Sequence, residues 1–366
     1  MRSKVISIFN LFAVCAACLV LVESCGGTPE EFAYGGNAQP DDDTMYISER
    51  ELAGYGADTM FLANEPREIF YDHTRRWFYP DCPLQAAIDE NHELQIRFYS
   101  PVAVRNVTVR CRFDSVDDEF VDLANFEVVY PFMEASFPLM VTRIEQTYTT
   151  RDGRRVTIPV QEDLKNEDVT FEIECADEFM RKVATINSHW LVNYSAFQAD
   201  EGHAYWRHMT PELCRHGVAL TLNMAYMFSS KEFNAEMQNY AGLLRDNVGN
   251  PIDLDKLRET IRTHGGLTLG LVTGVGGLGG GRTYGLADYC YREVYWDWEV
   301  NPFDNPHTYV RQAMFHEYGH CLGYSHDSTM TYGDVWTVLC AEMFVRMGSE
   351  GKLPVCSKNI IAELPM

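Results

Sequence analysis

His316-Glu317-Tyr318-Gly319-His320-Cys321-Leu322-Gly323-Tyr324-Ser325-His326 is the stretch around which the rest of this 366-residue chain is organised. Asn305-Pro306 can open a helix, and Tyr309, Val310, Met314 and Phe315 keep helical spacing up to the first histidine. His316 and His320 then fall at i and i+4 on one face. Two imidazoles so placed can share one zinc ion, which binds nitrogen tetrahedrally at about 2.0–2.1 Å and keeps a position open for water when the protein supplies three ligands. Gly323 can take the left-handed conformation that stops the helix, so that the chain turns and His326 arrives as the third ligand. Three neutral imidazoles leave the full charge on the metal, which can lower the pKa of a bound water to about 7. Glu317, beside the first ligand, can take that water's proton and later deliver it to a leaving amine. The expected reaction is hydrolysis of a peptide bond. A purely structural zinc site is usually closed by a fourth protein ligand, commonly cysteine; Cys321 adjoins a ligand, but helical geometry turns it off the metal-facing side.

The pattern HExxHxxGxxH resembles the metzincin zinc endopeptidases. Ser328-Thr329-Met330-Thr331-Tyr332 is similar to the Met-turn of that family, although only three residues separate His326 from Met330, fewer than in most members. The resemblance implies Met330 beneath the three histidines and, as in some branches, Tyr332 approaching the metal to help hold the oxyanion. It also implies a twisted mixed sheet whose edge strand lies above the active-site helix and pairs with an extended substrate. Residues 267–287, LTLGLVTGVGGLGGGRTYGLA, fit that place, and close backbone approach of substrate accounts for their glycines. Gly333 to Gly348 reads as a C-terminal helix burying Trp336, Leu339, Met343 and Phe344. The resemblance covers roughly residues 180–366.

Upstream of the glycine-rich segment the periods are helical. Pro211 to Phe228 reads as an amphipathic helix with Thr210 as N-cap, Ser229 and Ser230 cap another running through Leu244, and Asp253 to Thr263 forms a third. Gly274-x-Gly276-x-x-Gly279 formally matches a dinucleotide fingerprint, but that motif needs a helix to start within the loop. More glycine follows instead, and no nucleotide is expected as a partner.

Residues 93–175 carry period-two runs: Leu94 to Phe98, Val107 to Phe113, Phe126 to Tyr130, Val156 to Val160 and Val169 to Cys175, with a hairpin turn at Arg151-Asp152-Gly153-Arg154. Five or more strands in that space predict an antiparallel β-sandwich, with order beginning near Met45. The stretch from there to about Pro83 has mixed periodicity. The expected fold class is therefore α+β, an N-terminal sandwich module over 45–180 followed by a metzincin-like zinc domain over 181–366.

The first residues read as an export signal, with Arg2 and Lys4 ahead of an apolar run from Val5 to Val22. Leu21-Val22-Glu23-Ser24-Cys25 resembles a bacterial lipobox, with Glu23 a departure from it. The resemblance implies cleavage after residue 24, lipid on Cys25 and attachment at the outer membrane or cell surface. Residues 25–44 suit a solvated tether. Of eleven cysteines, eight remain after Cys15, Cys18 and Cys25 are set aside. An oxidising compartment predicts disulfides among them, with Cys111–Cys175 and Cys340–Cys356 the favoured pairs.

Fifty-three acidic against thirty basic side chains give a net charge of −23, which excludes a partner recognised through its phosphates, nucleic acid above all. The remaining readings are a zinc endopeptidase acting on protein or peptide substrates and a catalytically idle surface adhesin that keeps zinc for stability. Glu317 favours the first, because a retired site has no need of a carboxylate there.

Overall fold

The computed structural model describes residues 42–55, 58–114, 116, 118–197, 204–292, 308–332, 335–357 and 361. The expected signal, Cys25 and nearly all of the tether lie outside the described residues, as do Asn305-Pro306 and Gly333.

The first half holds β1 (Met45–Ile47), α1 (Glu49–Leu52), β2 (Asp58–Thr59), α2 (Arg67–Phe70), β3 (Leu84–Ile88), β4 (Leu94–Phe98), β5 (Val104–Phe113), β6 (Val121–Val129), β7 (Met133–Phe137), β8 (Gln146–Thr149), β9 (Arg155–Ile158), β10 (Val169–Cys175) and α3 (Glu178–Val183). Two four-stranded sheets form, β1-β6-β5-β10 and β2-β7-β4-β3. They meet through alternating apolar side chains, with the Phe126 and Phe137 rings 5.1 Å apart. The sandwich expected from period-two runs is present, with one correction: β1 pairs parallel to β6, so it is not wholly antiparallel. The short strands β1 and β2 come from the stretch with no clear period. The β8–β9 hairpin closes at Gly153, whose φ of 81° is accessible to glycine without strain.

The second half holds β11 (Leu191–Tyr194), β12 (Trp206–Arg207), α4 (Pro211–Ser229), α5 (Lys231–Asn239), α6 (Leu254–Thr263), β13 (Gly266–Val272), β14 (Gly277–Gly280), β15 (Thr283–Ala287), α7 (Asp288–Arg292), α8 (Thr308–Cys321) and α9 (Trp336–Ser349). The Thr210 hydroxyl accepts from the Leu213 N–H, and Pro211 occupies the first turn of α4, where its missing N–H costs nothing. Ser230 caps α5, which ends at Asn239 rather than continuing to Leu244, and Asp253 caps α6. The third sheet runs β11-β13-β15-β14. Its first three strands are parallel and β14 is an antiparallel edge, so the sheet is mixed. Below α8, the rings of Trp190, Phe228, Phe233, Tyr318 and Trp336 pack together, Phe228 and Trp336 lying parallel at 5.8 Å. Trp336, Leu339, Met343 and Phe344 are all buried on α9 as expected.

The two halves share one apolar core. Phe78 exchanges both backbone hydrogen bonds with Val192 on the outer side of β11, at 2.9 and 3.0 Å. Arg215 of α4 donates to the Met60 carbonyl at 3.1 Å and lies over the Phe132 ring, and the Phe61 and Tyr194 rings meet edge to face.

The expected disulfides are not formed. Cys111 faces Phe171 and Cys175 faces Val107 across the β5–β10 ladder. Four residues of strand, about 13 Å, separate them, beyond the reach of a bridge. Cys340 is a fully buried thiol of α9, and the Cys356 thiol donates to the Leu353 carbonyl at 3.1 Å. Cys111, Cys214, Cys290, Cys321 and Cys340 are buried thiols that act as small apolar core groups.

Candidate metal centre

Helix α8 places His316 and His320 one turn apart. Gly323 ends the helix with φ of 91°, donating its N–H to the His320 carbonyl at 3.0 Å while Tyr324 donates to Gly319 at 3.1 Å. This pair of bonds is the glycine C-cap that turns a chain back past its own helix. The turn delivers His326, and the three imidazoles converge with their nearest nitrogens all within 4.8 Å of one another. His320 Nε2 lies 3.2 Å from His316 Nε2 and 3.0 Å from His326 Nε2.

The far nitrogens explain the direction of the near ones. His316 Nδ1 donates to the Thr331 carbonyl and His320 Nδ1 to the Tyr324 carbonyl, both at 2.7 Å. With those protons committed, the Nε2 lone pairs face the common centre. Lone pairs so close repel unless a cation lies between them. Tetrahedral ligands about 2.05 Å from one zinc ion stand ~3.3 Å apart, close to the two distances from His320 to its partners, so the donor set fits such an ion. Burial, with the neighbouring imidazoles, holds His316 and His320 below the usual histidine range, although their carbonyl partners act the other way. Both are half-buried while His326 is exposed, so the cluster opens to solvent on the His326 side.

Glu317 is 7 % exposed and lies between its own helix and β14. Burial pushes its carboxyl up to about 7, partly offset by the Gly279 N–H; a dication alongside would favour the charged form. The edge strand approaches because it lacks side chains at two positions. A Cβ on Gly277 would lie 2.4 Å from Glu317 Cγ, and one on Gly279 would lie 2.3 Å from the Glu317 carbonyl oxygen. These two glycines therefore clear α8, whereas the sequence had attributed the glycines to substrate approach. Gly280 meets nothing within 4 Å.

Met330 is fully buried, and its carbonyl passes so near Gly319 that a Cβ there would stand 2.3 Å from it. The turn is held from within, by Thr331 Oγ1 donating to the Ser325 carbonyl at 2.6 Å and the Met330 N–H donating to Ser328 Oγ at 3.0 Å. Tyr332 is 56 % exposed, its ring 4.6 Å from that of His326 and 5.0 Å from that of His316. The Cys321 thiol donates to the Thr283 carbonyl at 3.3 Å, away from the cluster. No family model, curated protein or solved structure matches the chain. What the site can do rests on its own residues.

Of the sequence-chosen residues, the structure brings the three histidines together with the Tyr332 ring beside two of them, and it places Glu317 against β14. Sequence reading missed the Thr331 and Tyr324 carbonyls, since main-chain acceptors leave no residue signature. His264, which has no ligand spacing in the sequence, plays a structural part: its Nε2 lies 3.2 Å from both the Gly281 and Cys321 carbonyls and ties the β14–β15 turn to the end of α8.

Proposed function

We propose that the chain is a zinc-dependent endopeptidase of the metzincin type, exported and lipid-anchored through Cys25, with a sandwich module over 45–180 and a catalytic domain over 181–366. The observation that carries the reading is the convergence of His316, His320 and His326 beside a buried carboxylate on the same helix, under a sheet edge. A bound zinc ion would supply Lewis acidity toward the scissile carbonyl and a water nucleophilic at neutral pH. Among the described residues β14 pairs only with β15, so its outer edge can take an extended peptide as an added strand. Glu317 then acts as general base on the attacking water and returns the proton to the leaving amine. The Tyr332 phenol, beside the histidine rings, donates to the oxygen on which negative charge develops.

Burying Glu317 between helix and strand is costly for a charged group, and such perturbed carboxylates concentrate at working sites. That favours the enzyme over an idle adhesin with structural zinc. The test is cleavage of a peptide library by the purified protein. Cleavage should stop on chelation, return with zinc, and fall at least ~10²-fold in Glu317→Gln without loss of bound metal. Equal cleavage by Glu317→Gln, or none that responds to chelator in the wild type, would refute the reading.

A further inference from the structure

His316 and His320 each have an Nδ1 held by a carbonyl; among the described residues His326 Nδ1 forms no such bond, so the direction of its ring depends on its backbone and on the rings packed beside it. That backbone is gripped from a distance. Asn247, 78 residues upstream, accepts the Ser325 N–H on Oδ1 at 2.7 Å and donates from Nδ2 to the Gly323 carbonyl at 3.3 Å. On the far side of His326, Ser328 Oγ donates to the Arg245 carbonyl at 2.6 Å, and Thr329 Oγ1 accepts the Arg245 N–H at 2.7 Å. Residues 243–252 thus bracket the ligand from both sides.

The bracket is itself stiff. Ile252 N–H donates to the Leu244 carbonyl and Asp246 N–H to the Asn250 carbonyl, at 3.0 and 2.9 Å. Asp246 Oδ1 accepts from the Val248 and Asn250 amides, at 3.0 and 2.8 Å. Gly249, with φ of 85°, closes the turn, and Leu244 roots it in the core.

We infer that this hairpin is a positioning element for the third metal ligand, with Asn247 the residue that sets His326 against His316 and His320. The inference rests on the metal-site reading and deepens it. A two-point grip on the peptide units just before His326 fixes the direction in which the imidazole leaves the chain. Asn247 is exposed, so its removal leaves the core untouched and acts where the grip acts.

The test is zinc affinity of the full protein, by competition with a chromophoric chelator, together with the visible absorption of the cobalt-substituted form. Asn247→Ala should lose on the order of 10-fold in zinc affinity and alter the cobalt bands, with the melting temperature of the metal-free protein unchanged. Asn247→Asp, which keeps the acceptor for Ser325, should recover part of the loss, and Val248→Ala should match the wild type. In a His326→Ala background, Asn247→Ala should have no further effect. Unchanged affinity and spectrum in Asn247→Ala would overturn the inference, as would a loss that persists undiminished without His326. A wild type that binds no zinc would refute the underlying metal reading, and that result precedes any variant.

Discussion

Replacing Gly279 with alanine inserts a single methyl group into the contact between β14 and α8. The new Cβ would lie 2.3 Å from the Glu317 carbonyl oxygen, 2.9 Å from its carbonyl carbon and 3.0 Å from its Cα. All three are backbone atoms of a helix, which cannot rotate aside. Ordinary contact begins near 3.5 Å, so the strand must retreat by about 1 Å. Overpacking of this kind costs about 1–3 kcal/mol, and the melting temperature should fall by roughly 2–10 °C. A reacting group misplaced by that distance loses ~10²-fold in rate, so peptide cleavage should fall by the same order. Gly277→Ala separates the two effects. Its Cβ meets Glu317 Cγ at 2.4 Å and Oε1 at 2.9 Å, side-chain atoms that can swing away. Stability should drop by less than about 1 kcal/mol while cleavage still falls ~10²-fold. Gly280→Ala, which meets nothing within 4 Å, should stay within about 0.5 kcal/mol of wild type. Melting curves and steady-state cleavage rates measure all three. A Gly279→Ala protein as stable and active as the wild type would show that β14 does not lie against Glu317 as described.

Tyr332→Phe should lower kcat on the order of 10²-fold with KM unchanged, because the phenol is asked to act only on the developing charge; an unaltered kcat removes it from the mechanism. His216 of α4 supplies a pH test away from the histidine cluster. Burial pushes it down to about 4, with Glu212 and Asp288 acting upward and Arg292 downward. Between that value and the ordinary 6.5 the unfolded chain binds a proton that the folded chain refuses. Its contribution is therefore complete above about pH 6.5 and is lost as pH falls toward 4, by ~3 kcal/mol for this group. Urea unfolding of His216→Gln across that range should show a flatter pH dependence, and curves parallel to wild type would refute the assignment.

The centre was legible because its geometry is local. One helical turn separates His316 from His320, and Gly323 announces the reversal that brings in His326, so three positions in eleven residues define the cluster. Helices with side-chain caps were equally readable at Thr210 and Ser230. What escaped was set by distant contacts. Strands of two or three residues such as β2 and β1 have no period to read and take their place from β7 and β6. The cysteine pairs failed because a count says nothing of register, which sets Cys111 against Phe171. Asn247 could not be singled out, since its partners are main-chain groups 76 and 78 residues away.

Phe78 covers the outer side of β11 by exchanging hydrogen bonds with Val192. In a fragment beginning near residue 180, that row of N–H and C=O groups would be bare, beside apolar surface stripped of Phe61 and Met60. An uncovered strand edge next to exposed apolar surface is a template for self-association. Expression of the C-terminal half alone is therefore expected to give aggregates, and any dissection of this protein into working parts must carry the Phe78 segment with the half that holds the histidine cluster.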